Sequence, residues 1–290
     1  MNKCPYCKVV NSVRHGVRQT LTGLKRKYLC NSCERHFTPN EGFNRFRHAP
    51  EVITSALDLR AKGLSLADVV DHLDQHYKVI VSRKTILDWQ KHFTKKIKGF
   101  IETLNPVLGS DYHADEMFIK IRKQWKYYWD CLDYKTKFIV ADHISNERHF
   151  EEAITFLTKV KTGCEILPER IHTDNSYDYP TAMKKVFWKS VKHVHYPAWK
   201  RKFKNNPIER YHNTLKQRYK PMRNFDNILS AYNFLEFFRI YYNFLRKHTS
   251  LNKKTPAQAA QIELHLGRNK FLAIINKMLQ SILKPKIHLN

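Results

Sequence analysis

Residues 169–180 read ERIHTDNSYDYP, a short apolar strand that ends on Asp174 and leads through polar residues into a helix. An acid at the end of a strand is commonly a turn residue or a helix cap. It acquires a chemical role when the fold brings other carboxylates to it. Whether Asp174 has a chemical role therefore depends on which other acids of the chain lie near it in the fold.

The segments around this stretch predict an α/β domain. Three runs rich in aromatic and β-branched residues predict a three-stranded meander over 111–121, 125–134 and 137–144. Helices and strands then alternate, with predicted ranges of 149–160 (helix), 169–174 (strand), 179–188 (helix), 191–196 (strand) and a helix from about Pro207. The order βββαβαβα predicts a mixed five-stranded sheet with helices.

Three acids lie where such a sheet could bring them together. Asp115 is in the first strand, Asp174 just follows the fourth, and Glu209 is in the first turn of the late helix. The first and fourth strands can be neighbours, and the helix can cross their ends. Three carboxylates suit Mg²⁺ or Mn²⁺ rather than zinc, and such a set could hold two ions for phosphodiester chemistry.

Each acid also has a purely structural interpretation. Asp174 could cap the following helix, and the helix dipole could favour Glu209. Glu116, beside Asp115, is expected on the opposite face of its strand and is left out of the triad. Weaker rivals for metal contact are Asp111, Asp133, Asp142 and Asp178.

The chain is strongly basic, with 52 Lys and Arg against 26 Asp and Glu and a net charge of +26. Such a balance favours a nucleic-acid partner, because neutralised phosphates release counterions, although it could merely promote solubility. Residues 198–220 contain eight Lys and Arg and a single acid, Glu209. We expect Lys200, Arg201 and Lys202 of this cluster to contact DNA.

Location is predicted from the apolar segments. No apolar run reaches the roughly 18 residues that a bilayer-spanning helix needs. The N-terminal residues show no apolar signal-peptide core, which predicts a cytoplasmic, nucleoid-associated protein.

The N-terminal cysteines form two Cys-x-x-Cys pairs, Cys4 with Cys7 and Cys30 with Cys33. Two such turns can bring four thiolates to one tetrahedral zinc ion, and the intervening chain can supply a small hairpin. A redox dithiol and unrelated free thiols are the alternatives. Four sulfur ligands leave no position for water, so the predicted zinc is structural and the module is a zinc ribbon.

Residues 50–97 predict three short helices. Gly63 ends the first, and Ser65 and Ser82 cap the second and third. The third is basic on its outer face, a pattern typical of a helix-turn-helix whose last helix enters the major groove. Arg83 and Lys84 would then lie near base edges or phosphates. The alternative is a plain helical bundle that links the neighbouring domains.

Three motifs together resemble a known family: HADEMFIKIRKQWKYYWDCLD (113–133), IHTDNSYDY (171–179) and NNPIERYHNTLKQR (205–218). They are similar to the catalytic core of DDE transposases of prokaryotic insertion sequences, which share an RNase H-like fold with retroviral integrases. The 34 residues between Asp174 and Glu209, followed by Lys216, resemble the insertion sequence 6 family. Met117 departs from the Asp-Glu-Thr that is usual in the first motif.

The resemblance implies that Asp115, Asp174 and Glu209 are catalytic residues that bind magnesium, and that Lys216 meets a DNA phosphate. The implied activity is cutting at the ends of a mobile element to leave 3′-OH ends, followed by their transfer to target DNA. Holding two ends implies at least a homodimer. The alternatives are a domesticated, catalytically silent DNA-binding regulator and a nuclease that never joins.

The predicted protein is therefore multidomain. We expect a zinc ribbon over 1–44, a helix-turn-helix over 45–104, an RNase H-like catalytic domain over 105–262 and a helical tail over 263–290.

Overall fold

The computed structural model describes residues 4–20, 23–38, 43, 46–174, 178–195 and 206–283. Within this part of the chain, the predicted helices and strands of the catalytic region are present in the predicted order, with most ends moved by one or two residues. No helix among the described residues is long and apolar enough to cross a membrane.

The N-terminal module is a small antiparallel sheet. Its strands are β1 (Ser12–Thr20), β2 (Gly23–Cys30) and β3 (His36–Phe37), hydrogen-bonded in that order. Among its described residues, the buried core consists of Cys4, Cys30 and Phe37, with Cys7, Tyr28 and Cys33 partly buried against it. So small a core contributes little stability, which is why such modules depend on a metal.

Three helices follow: α1 (Pro50–Lys62), α2 (Leu66–Tyr77) and α3 (Arg83–Ile101). Gly63 ends α1 in the left-handed conformation with φ 102°, which glycine adopts without strain. The side chains of Ser65 and Ser82 accept hydrogen bonds from the backbone N–H groups of Asp68 and Thr85, so both predicted caps are present.

The central sheet is mixed and has the strand order β6-β5-β4-β7-β8. Its strands are β4 (Asp111–Ile121), β5 (Gln124–Asp133), β6 (Ile139–Ser145), β7 (Arg170–Thr173) and β8 (Lys192–His195). The first three form the antiparallel meander, whereas β7 runs parallel to β4 and β8 parallel to β7. This arrangement is the five-stranded sheet of an RNase H-like core.

Helices cover both faces of the sheet. One layer is formed by α4 (Phe150–Thr162) and α5 (Asp178–Phe187), which pack on buried strand residues such as Trp129. The other is formed by α6 (Asn206–Tyr219) and α7 (Ile228–Ile240). Two C-terminal helices complete the described chain, α8 (Pro256–Ala259) and α9 (Lys270–Leu283).

The second layer is continuous with the helical module. One hydrophobic cluster joins side chains of α1–α3, α7 and α9 with the α6-facing side of the sheet, including Ile97, Phe237 and Phe271. A polar contact crosses the same boundary, where Lys98 Nζ of α3 lies 3.3 Å from a carboxylate oxygen of Glu236. The helical module and the catalytic sheet therefore share one core.

This shared core predicts coupled unfolding. Ile97 is 1% exposed, so Ile97→Ala should lower the free energy of unfolding by about 2–5 kcal/mol through lost burial and the cavity left behind. Hydrogen exchange measured by mass spectrometry should then show reduced protection in α1–α3 and in β4 and β5 alike. The exposed neighbour Lys95→Ala is the control and should change stability by less than about 0.5 kcal/mol. Protection lost only from α1–α3 would contradict a shared core.

Candidate active site and zinc site

The pairing of β4 with β7 brings the first two predicted acids together. The two strands are parallel, and His113 opposite His172 is the last pair in their register. Asp115 and Asp174 each lie two residues further on, so they are neighbours at the point where β7 ends. Because β7 ends at Thr173 and β4 continues to Ile121, the two carboxylates lie at a notch in the sheet.

Glu209 approaches the same notch from α6. It lies in the first turn of the helix and is exposed. Its charge acts on Asp115. Burial raises the pKa of the Asp115 carboxyl, and His212 opposes this effect. The charges of Asp174 and Glu209 raise the pKa further. The charges of Asp174 and Glu209 therefore both act on the Asp115 carboxyl.

The carboxylates form an open group. Among the described residues, the four cysteines are the only set of three or more potential ligands whose donor atoms all lie within 4.8 Å of one another.

A buried histidine contacts Asp115 from α6. His212 Nδ1 lies 3.8 Å from Asp115 Oδ2, and its Nε2 lies 2.8 Å from Asp130 Oδ2. Asp130 is 0% exposed and pairs with Asp115 across β4 and β5. Burial raises the pKa of Asp130 to about 6, against the opposing effect of His212. Burial tends to lower the pKa of His212, but the carboxylates of Asp130 and Asp115 together outweigh this effect and raise that pKa.

The opposite face of β4 carries a second charged group. Glu116 points towards α5, as expected for the neighbour of Asp115, and accepts a 3.0 Å hydrogen bond from the Tyr179 hydroxyl. It forms an ion pair with Arg148, which also lies 3.3 Å from Asp174 Oδ2. Burial raises the pKa of Glu116 to about 7, although Arg148 opposes the shift. Arg148 therefore connects Glu116, on the face of β4 opposite Asp115, with Asp174 at the notch.

The weaker rivals have other partners or positions. Asp111 binds Arg170 and His172, and these contacts hold its pKa well below the usual range, Arg170 contributing most. Asp133 accepts the backbone N–H of Thr136 at 2.9 Å in a turn. Asp142 is paired with Arg239 at 3.4 Å, and Asp178 begins α5.

The predicted DNA-contacting residues are partly described. Lys216 is exposed and lies two turns beyond Glu209 on the same side of α6. Arg83 and Lys84 are exposed at the start of α3, where Lys84 also forms an exposed ion pair with Asp88 at 3.1 Å. Lys200, Arg201 and Lys202 lie outside the described residues.

The four predicted zinc ligands come together in the ribbon. Cys4 Sγ lies 3.6 Å from Cys33 Sγ, and Cys7 Sγ lies 3.5 Å from Cys30 Sγ. Four sulfurs at zinc–sulfur distances of about 2.3 Å in a tetrahedron would be about 3.8 Å apart. The cluster can therefore hold a zinc ion with little movement.

Asp130 and Arg148 were not identified from the sequence. The position of Asp130 follows from a two-residue turn at Arg122–Lys123, since this turn fixes the register that pairs Asp115 with Asp130. Arg-Lys lacks the Asn-Gly signature of such turns, so the sequence did not predict the register of β4 with β5. Arg148 follows β6 in a connection, and no local pattern links it to Asp174.

The strand order and the notch define the class, an RNase H-like domain with an acidic edge. Residues 109–248 match the family model described as a DDE domain, that of IS240 transposases. This segment is therefore a DDE domain of the transposase class, a metal-dependent enzyme domain, and it contains all three predicted acids. No curated protein matches the chain.

Several solved structures resemble the chain at low identity. A chain of the simian T-cell lymphotropic virus intasome in complex with PP2A regulatory subunit B56 gamma is 15% identical with a TM-score of 0.44, covering 73% of this chain and 75% of that one. The HTLV-2 integrase catalytic core domain in complex with magnesium, in its trimeric form, is 17% identical with a TM-score of 0.39. The match covers 54% of this chain and 99% of that one. The BIV integrase catalytic core is 13% identical with a TM-score of 0.38, covering 51% and 93%.

The buried contact between His212 and Asp130 predicts a large stability effect. His212→Ala should lower the free energy of unfolding by about 3–5 kcal/mol, because it leaves a buried carboxylate without its partner. Adding Asp130→Asn should recover part of the loss, so the double mutant is less unstable than the sum of the single changes. Denaturant unfolding of the four proteins measures this coupling. The exposed pair of His149 and Glu147 supplies the control, since His149→Ala should cost less than about 1 kcal/mol.

The cysteine cluster predicts about one zinc ion per chain. Elemental analysis of protein purified without chelators should find it, and Cys33→Ser should largely remove it. A strong chelator should expose the amides of β1–β3 to hydrogen exchange and leave those of β4 and β5 protected, because the sheet has its own large core. Protein that lacks zinc and still protects β1–β3 would contradict a metal-dependent ribbon.

Proposed function

We propose that the chain is a DNA transposase that binds the ends of its mobile element, cuts them to leave 3′-OH ends and transfers those ends to target DNA. The single observation that carries the proposal is the register of β4 and β7, which sets Asp115 beside Asp174 within a segment that matches a DDE domain. Glu209, in the first turn of α6, would be the third acid, and its charge contributes to the raised pKa of Asp115.

The donor set fits divalent magnesium or manganese. All three ligands are carboxylates, the preferred donors of these ions. Burial raises the pKa of Asp115 and the charges of Asp174 and Glu209 raise it further, and a bound cation would relieve both effects. When bound between Asp115, Asp174 and Glu209, two such ions would supply activation of the attacking oxygen and stabilisation of the leaving one. His212 would hold Asp115 in place from behind, and Arg148 would hold Asp174.

DNA binding is assigned to three basic regions. Lys216 is exposed on α6 two turns beyond Glu209 and would meet a phosphate near the cut. The exposed basic side chains at the start of α3, Arg83 and Lys84, fit the recognition helix of a helix-turn-helix. The third region is the basic stretch at Lys200–Lys202. Neutralising phosphates in this way accounts for the net charge of +26.

Transfer of two ends also requires more than one active site. We therefore propose that the chain acts as a homodimer or a larger assembly on double-stranded DNA. The zinc ribbon would add basic surface next to the helices, since residues 1–48 carry ten Lys and Arg and two acids.

The proposal predicts a separation of cutting from binding. Asp174→Asn should reduce nicking and joining of duplexes that carry the element's end by at least about a hundredfold, because it removes a charged metal ligand. Binding of the same duplexes should change by less than about threefold, since phosphate contacts provide that affinity. Product analysis on gels with Mg²⁺ or Mn²⁺ measures the first quantity, and fluorescence anisotropy measures the second.

Asp178→Asn is the matched control. It changes an acid four residues away in the first turn of α5 and should retain activity. Equal losses of binding and cutting in Asp174→Asn would make Asp174 structural. Tight end binding by the wild-type protein without any nicking in either metal would support the catalytically silent regulator instead.

A further inference from the structure

The hairpin formed by β4 and β5 continues beyond the catalytic notch as an exposed ribbon. Phe118 and Trp125 on it expose 53% and 60% of their surfaces. The register pairs Phe118 with Tyr127 and Lys120 with Trp125, which places the four side chains on one face. We call these four residues the hairpin surface.

The rings of the hairpin surface contact one another. The centroid of Phe118 lies 5.0 Å from that of Tyr127 and 6.3 Å from that of Trp125. Lys120 Nζ lies 5.6 Å from the centroid of the Trp125 ring. A contiguous exposed aromatic cluster is unusual on a folded protein and commonly marks a binding surface.

The tip of the hairpin adds positive charge in an unfavourable conformation. Arg122 and Lys123 form the two-residue turn with φ 47° and 65°, the left-handed region in which Asn-Gly is strongly preferred. Placing two long basic residues there costs stability, and both are exposed. Residues 117–129 contain four Lys and Arg and no acid. Residues that depart in this way from the sequence preference of a turn are expected at functional positions.

The hairpin surface begins next to the catalytic notch. Phe118 shares its strand face with Glu116, whose partner Arg148 also contacts Asp174. At about 3.3 Å per residue, Phe118 lies roughly 10 Å along β4 from Asp115. A strand passing the notch on this face would reach the rings directly.

A second basic segment runs along the same part of β4. The Tyr219 hydroxyl donates to the carbonyl of Phe118 at 3.2 Å, and the N–H of Phe225 donates to the carbonyl of Lys120 at 2.9 Å. Between these contacts the segment exposes Lys220 and Arg223. A second group of exposed cations therefore lies beside the same stretch of β4.

We propose that the hairpin surface binds an unpaired DNA strand next to the cleavage site, with bases stacked on Trp125 and Phe118. The inference rests on the proposed function for its choice of DNA. Flat exposed rings offer stacking that is indifferent to base identity, and a duplex hides its base faces, so an unpaired strand fits better. A symmetric contact with a second copy would bring the four cations of each hairpin together, which opposes it.

The test compares single-stranded and duplex DNA. Anisotropy of a labelled 20-nucleotide oligo(dT) and of a labelled 20-base-pair duplex gives both affinities at one salt concentration. The double variant Phe118→Ala/Trp125→Ala should weaken oligo(dT) binding about tenfold or more and change duplex binding by less than about twofold. Restoring one ring with Phe118→Ala/Trp125→Phe should recover part of the loss, which a general folding defect would not allow.

Trp188→Ala is the matched control. Trp188 is 66% exposed with Lys184 Nζ 5.7 Å from its ring, and it follows the far end of α5, away from the notch. It should leave both affinities unchanged. Unchanged oligo(dT) binding by the double variant, or equal losses for both DNAs, would overturn the proposal. Conversion of a dimer into a monomer in sedimentation, with unchanged binding, would instead identify an interface between copies.

Binding of oligo(dT) requires no chemistry. A wild-type protein that fails to nick or join DNA while the double variant loses oligo(dT) binding would remove the proposed transposase activity and keep the hairpin assignment. Active cleavage by the wild-type protein, with unchanged oligo(dT) binding in the double variant, would keep the proposed transposase activity and remove the hairpin assignment.

Discussion

The parallel pairing of β4 with β7 is the contact on which the candidate site depends. Its register is held by Tyr112 and Ile171, which lie opposite each other and are both 0% exposed beneath α4 and α5. A slip of one residue would turn one of the two aspartates to the other face of the sheet. The early end of β7 is equally important, because it opens the notch into which Asp115 and Asp174 project.

A row of acids crosses the sheet behind this notch. Asp115, Asp130 and Asp142 lie opposite one another on β4, β5 and β6. Buried carboxylates are costly unless paired, and His212 and Arg239 supply the partners from α6 and α7. Arg239 also binds Glu236, which in turn binds Lys98 of α3. Polar contacts therefore extend from the catalytic edge to the helical module, through the same region as the shared hydrophobic core.

The two faces of β4 are specialised in different ways. Asp115 faces α6 and belongs to the acidic site, whereas Glu116 and Phe118 face the other side and lead to the hairpin surface. A strand with alternating faces allows one short segment to serve both, since neighbouring side chains point in opposite directions. Arg148 links the two faces at the point where β7 ends.

The sequence by itself determined the order of the helices and strands and predicted which residues are ligands. Helical and strand periodicity gave the order of α4 through α6, the serine caps gave the starts of α2 and α3, and the cysteine spacing gave the ribbon, because each of these signals is local. Only the tertiary structure decided that His212 meets Asp130, that Arg148 meets Asp174 and that α3 shares a core with the sheet. These contacts join residues far apart in the chain, and they depend on strand register and helix packing, which no local pattern encodes.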